Sequence, residues 1–95
     1  MKPTQARNDC IFEQLGFSKI EAANLRLRAS MMDAVIAEIE RRKLTQARAA
    51  KTMGISQPRV SNLMNGKLHL FSLDTLVALL AKLGLQVEMK VRKAA

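Results

Sequence analysis

The chain has 95 residues, enough for one small domain with a modest core. Sixteen Lys and Arg stand against eight Asp and Glu, a formal net charge of +8 that suits an acidic partner such as nucleic acid. Three Phe with no Tyr or Trp argue against the rows of exposed aromatics on which single strands and RNA stack, and no apolar run is long enough to span a membrane.

Residues 1–9 are polar and are expected to form a flexible arm, with 10–95 as a single domain. Cys10 is the only cysteine, so no internal disulfide is available and a reducing cytoplasm is the natural setting. Ile11, Phe12, Leu15 and Phe17 make a short apolar patch. It either tucks onto the core or anchors a protein interface, a use to which aromatics are well suited. Ser18 and Glu21 match a capping box, which predicts a helix running to about Arg42. Leu25, Met32, Val35, Ile36 and Ile39 form its main apolar stripe, with Leu27, Met31 and Ala34 on a second side. Such a helix spans roughly 35 Å, long enough for its first half to project toward a partner. Arg41, Arg42 and Lys43 complement the dipole at its end. Asp33, Glu38 and Glu40 read as its solvated face.

The stretch from Thr45 to Lys67, TQARAAKTMGISQPRVSNLMNGK, has the spacing of a helix-turn-helix. Thr45 caps a short helix, and Ala49 and Met53 lie four apart on its inner face. Ala50 lets a second helix cross closely. Gly54 ends the first helix, Ile55 plugs the corner and Ser56 caps the second. Val60, Leu63 and Met64 point inward. Gln57, Pro58, Arg59, Ser61, Asn62 and Asn65 are left outside, a face suited to base edges in a major groove. From Thr45 to Phe71 the charges are Arg48, Lys51, Arg59 and Lys67, with no acid. The bland alternative is a helical hairpin with a polar outer side.

Leu68 to Phe71 reads as a linking loop. His69 is the only histidine, so no histidine-based metal or catalytic cluster can form, and it reads as a surface residue. No carboxylate pair or activated nucleophile is visible either, so neither an enzyme, a metal nor a cofactor is expected. Ser72 caps a last helix carrying Leu73, Leu76, Val77, Leu80 and Leu83, closed by Gly84. Leu85, Val87, Met89 and Val91 then alternate with polar residues, which predicts a β-strand over 85–92. A lone strand has unsatisfied edges. Pairing with the same strand of a second copy is the favoured solution, which makes these four residues dimerisation residues. A strand from Asp9 to Phe12, or from another protein, is the competing account.

The segments FEQLGFS, EAANLRLR, TQARAA, SQPRVSNLMNGK and LFSLDTLVALLAKLGLQVEM follow one another in that order. Together, over about residues 11 to 91, they resemble the Xre (phage-repressor-like) helix-turn-helix superfamily. Within it they resemble a small subgroup that includes HigA-like antitoxins of type II toxin–antitoxin modules. The resemblance implies an all-α, five-helix repressor-like fold and a homodimer. It also implies repression of the protein's own operon and neutralisation of a RelE/HigB-like ribonuclease toxin. It assigns backbone contact to Gln46, base or phosphate contact to Ser56, Gln57, Arg59 and Asn62, and phosphate contact to Asn65 and Lys67. Members often carry Glu where Arg48 stands, so a reciprocal cap is lost here and positive charge gained. Pro58 replaces a side chain able to read a base.

The expected mechanism sets two recognition helices in successive major grooves, about 34 Å apart, over an inverted repeat of double-stranded DNA. Gln57 can pair with adenine, Arg59 with guanine or a phosphate, and Pro58 can pack on a thymine methyl. Gln46, Asn65 and Lys67 set register. The alternatives are a free-standing Xre-type regulator without a toxin, and a dimeric adaptor with only nonspecific DNA affinity.

Overall fold

Four α-helices in the computed structural model, which describes Phe12 and residues 14–93, each open on a hydroxyl side chain. The helices are α1 (Lys19–Arg41), α2 (Gln46–Met53), α3 (Gln57–Met64) and α4 (Leu73–Lys82), with a 3₁₀ turn at Leu68–Leu70 between the last two. Ser18, Thr45, Ser56 and Ser72 accept from the backbone N–H of Glu21, Arg48, Arg59 and Thr75 at 3.1, 3.1, 3.2 and 3.1 Å. At Ser18 the capping box closes, Ser18 N donating to Glu21 Oε1 at 3.0 Å. The residue before each cap is apolar: Phe17, Leu44, Ile55 and Phe71. The fourth residue of each helix is Ala22, Ala49, Val60 or Leu76, each fully buried. This is the spacing of a hydrophobic staple, which sets the angle at which the chain enters a helix.

α1 lies along α4 and the 3₁₀ turn, α2 crosses α3, and α2 also meets α4. The core gathers Met32, Val35 and Ile39 of α1, Ala49 and Met53 of α2, Val60 and Leu63 of α3, and Leu76, Leu79, Leu80 and Leu83 around Phe71. The linking loop is therefore more than a loop, since Phe71 is only 1% exposed. In the first half of α1, Ala22 is the only residue before Met31 that is buried. Leu25 is half-buried there, and Leu27 and Ala34, expected on the apolar face, are exposed. In α4, Val77 faces solvent and Leu79 takes the core position.

The predicted strand does not form in the single chain: residues 85–93 carry no regular structure. Leu85 N donates to Leu80 O at 2.9 Å, closing α4, and its side chain packs on the core. Val87, Met89 and Val91 are exposed. A strand needs a neighbouring edge for its N–H and C=O groups, and the described residues supply none. The architecture is thus all-helical, with α1 to α4 and no strand among the described residues. Phe12 and Gln14 are helical, and the Phe12 ring meets Phe17 edge-on at 6.4 Å. The expected arm over residues 1–9, and Cys10, lie outside the described residues.

Glu38 is a second correction. It is 8% exposed and belongs to the inner side of α1, one turn from Val35. A carboxylate at this depth needs partners, and it has two. Arg41 donates through Nε and Nη2 at 3.2 and 2.5 Å, and Arg42 through Nε at 2.6 Å. These hydrogen bonds hold its pKa down to about 2 from 4.5. Arg42 also donates to Leu83 O, so the ends of α1 and α4 are tied together. Folding therefore favours the ionised carboxylate. Its contribution to stability is complete above about pH 5 and is lost as pH falls toward 2. Acid denaturation of the wild type and Glu38→Gln checks this: the variant is less stable at neutral pH and the gap closes near pH 2.

Lys43 has φ of 55°, the left-handed conformation that a side chain disfavours. It stands just past the end of α1, where Leu44 N returns to Ile39 O at 3.1 Å. Relief of this strain outweighs the extra freedom glycine has when unfolded, so Lys43→Gly is expected to stabilise by about 0.5–1 kcal/mol. A thermal melt should then rise by about 2–8 °C for a domain of this size.

Candidate nucleic-acid interface

Two eight-residue helices, α2 and α3, form the reading unit. Ala49 and Ala50 are buried at their crossing, where any larger side chain would hold the helices apart. Gly54 turns the corner with φ of 70°. A Cβ there would be strained and would stand 3.2 Å from Lys82 Nζ. Ile55 is half-buried against the core at the bend. Val60 and Leu63 face inward.

The outward residues fall into two groups. Gln46, Ser56, Gln57, Pro58, Asn65 and Lys67 are exposed. Arg59, Ser61 and Asn62 are half-buried. Gln57 and Pro58 occupy the first two positions of α3, where proline's missing N–H is no loss. The Ser56 oxygen is used as the cap, which leaves its O–H free to donate. Asn65 ends α3, and Lys67 N returns to Asn62 O at 3.1 Å, so the ammonium of Lys67 leaves the helix at a set point. The first turns of α2 and α3 hold no acid, and the helix dipoles add positive potential there.

Arg59 is placed differently from the expectation that it reaches outward. Its Nη1 donates to Leu70 O at 3.1 Å, and its guanidinium carbon lies 4.4 Å from the centre of the Phe71 ring. A second guanidinium reaches the same turn from α1. Arg28 Nη1 donates to Leu68 O and Phe71 O, each at 3.3 Å, while its Nε holds Asn24 Oδ1 at 2.7 Å. Swinging Arg59 out to a guanine exchanges a hydrogen bond worth about 1 kcal/mol and a ring contact worth about 0.5–1 kcal/mol for a bidentate pair worth about 1–3 kcal/mol. The net gain is small.

Phe71 and Arg28 were not singled out in the sequence. Phe71 had a signal, the staple pattern of an apolar residue before Ser72 and Leu76 four places after it. Arg28 had none, since its partners are carbonyls 40 and 43 residues away.

A helix-turn-helix domain family matches residues 11–92 of the chain. A solved structure described as a candidate XRE family transcriptional regulator is 40% identical, with a TM-score of 0.73. The match covers 78% of this chain and 83% of that chain. The chain belongs to the XRE-type helix-turn-helix family. No curated protein matches it. As in the sequence reading, the family match runs through α1 and past α4, well beyond the two crossing helices. Among the described residues no cluster of potential metal ligands occurs, and no helix is long and apolar enough to cross a membrane.

The Ser56 cap sets where the recognition helix of this family member begins. Ser56→Ala is expected to lower stability by about 1 kcal/mol, read as a shift in the urea midpoint with an unchanged slope. Ser56→Asp, which keeps an acceptor, should hold the wild-type midpoint.

Proposed function

We propose that this protein is a transcriptional repressor that binds double-stranded DNA sequence-specifically. One observation carries the reading: a correctly capped and crossed helix pair presents the exposed start of α3, with Gln57 and Pro58, in a stretch free of acids from Thr45 to Phe71. Gln57, Ser61 and Asn62 lie on the side that meets base edges, Gln57 pairing with adenine and Pro58 touching a thymine methyl. Gln46, Ser56, Asn65 and Lys67 take phosphates. No cofactor or catalytic step is part of the proposal.

The finer reading is a homodimer acting in the cytoplasm on an inverted repeat. Leu85, Val87, Met89 and Val91 of two copies pair as antiparallel strands. This reading is supported by the exposed apolar side chains of residues 87, 89 and 91 and by the alternation that a second edge completes. The finest is the antitoxin of a type II pair that represses its own operon and neutralises a RelE/HigB-like toxin. It is supported by exposed apolar side chains on the first half of α1. There Phe17, Ile20 and Leu25 line an open groove of about 520 Å³, and Ile20 is 84% exposed. Exposed apolar surface of this kind suits a protein partner.

The test is binding to DNA upstream of the protein's own gene against scrambled DNA at two salt concentrations. A preference of about a thousandfold or more at physiological salt is expected of a specific repressor. Equal binding that collapses with salt would leave a basic adaptor instead. Lys67→Ala should lower the slope of log affinity against log salt by about one, while Gln57→Ala should relax the preference at one base pair. Co-expression with a neighbouring small toxin gene checks the antitoxin role through growth rescue.

A further inference from the structure

We infer that Arg59 is a positioning residue of the reading unit, tying the start of α3 to the 3₁₀ turn through the Leu70 carbonyl and the Phe71 ring, while base reading falls to Gln57, Ser61 and Asn62. The inference rests on the DNA-reading function proposed above and deepens it.

The main chain and the side chain of Arg59 are both committed. Its N–H is held by Ser56 Oγ at 3.2 Å, and its guanidinium donates to Leu70 O at 3.1 Å while covering the Phe71 ring at 4.4 Å. The anchor is firm, because Phe71 is buried in the core and Arg28 of α1 grips the carbonyls of Leu68 and Phe71. The first turn of α3 is thereby referred to α1 and the core by a charged strut. A guanidinium is suited to this work: it donates in its plane and stacks with its face at once. Gln57 and Asn62 have no side-chain hydrogen bond among the described residues, so they are available to bases at no internal cost. Base readers need placement within about 0.5 Å, and the strut supplies it at the residue between them.

The experiment selects binding sites from a randomised duplex library for the full-length wild type, Arg59→Ala and Gln57→Ala, then titrates each best site against salt. Arg59→Ala should weaken binding about tenfold, a change of ~1.4 kcal/mol, with the preference reduced evenly along the site and the salt slope unchanged. In a Phe71→Leu background the same substitution should cost much less, because the strut has already lost its ring. If Phe71→Leu does not fold, Arg28→Ala, which frees the same turn, takes its place in the cycle. Gln57→Ala should relax one base pair only. Selective loss of one base pair in Arg59→Ala would make it a base reader and overturn the inference. So would a salt slope lower by about one, the mark of a phosphate contact, or an unchanged affinity. These results leave the DNA-reading function standing. A wild type that enriches no sequence overturns that function, and the inference with it.

Discussion

The structure depends on hydroxyl caps set between two apolar residues. α2 and α3 have eight residues each and α4 has ten, lengths at which an isolated helix does not persist in water. Each is started by a Ser or Thr that accepts from the third helical N–H. Each is then pinned by an apolar residue before the cap and another four places after it. The device does two things together. It satisfies a backbone donor at the helix end, and it fixes the angle between the incoming chain and the helix. Ile55 and Val60 around Ser56 thus set the angle of the recognition helix, and Leu44 and Ala49 around Thr45 set that of its partner.

Arginine does the complementary work at carbonyls. Arg28 donates to Leu68 O and Phe71 O, Arg59 to Leu70 O, and Arg42 to Leu83 O. Leu70 O, Phe71 O and Leu83 O lie where the chain leaves a turn or a helix, while Leu68 O also accepts the Phe71 N–H at 3.1 Å. The excess of positive charge therefore has two uses. Part of it binds the chain to itself, and only the remainder, with Arg48, Lys51 and Lys67 in the reading unit, is free to face phosphate. Net charge alone does not say which cations are free to reach a phosphate. Glu38 makes the same point with opposite sign, since an acid with helical spacing to Val35 became the buried partner of two arginines.

Much of the fold was legible because it is encoded within four or five residues. Ser18 with Glu21, Thr45, Gly54, Ser56, Ser72 and Gly84 each act locally, and each stands where its spacing said. The inward set Ala49, Met53, Val60 and Leu63 follows from the helical period alone. The exposed Gln57, Pro58 and Asn65 were legible for the same reason, while Gln46 and Lys67 were marked only by the family resemblance. Period alone did not settle the rotation of a long helix. In α1 the face turned toward Met31 and away from Leu27 and Ala34, because α4 and the 3₁₀ turn cover only one side of it.

The sequence by itself determined where each helix begins and ends, which residues cross at the turn, and which polar side chains stand at the start of α3. All of these rest on short-range hydrogen bonds and sterics. Only the tertiary structure decided that Phe71 is core, that Arg28 and Arg59 grip one turn from two helices, that Glu38 is buried, and that residues 85–93 stay irregular in a single chain. Each of these depends on a partner far away in sequence or on an edge that the described residues do not supply. Spacing along a chain carries no record of which distant carbonyl a long side chain will reach.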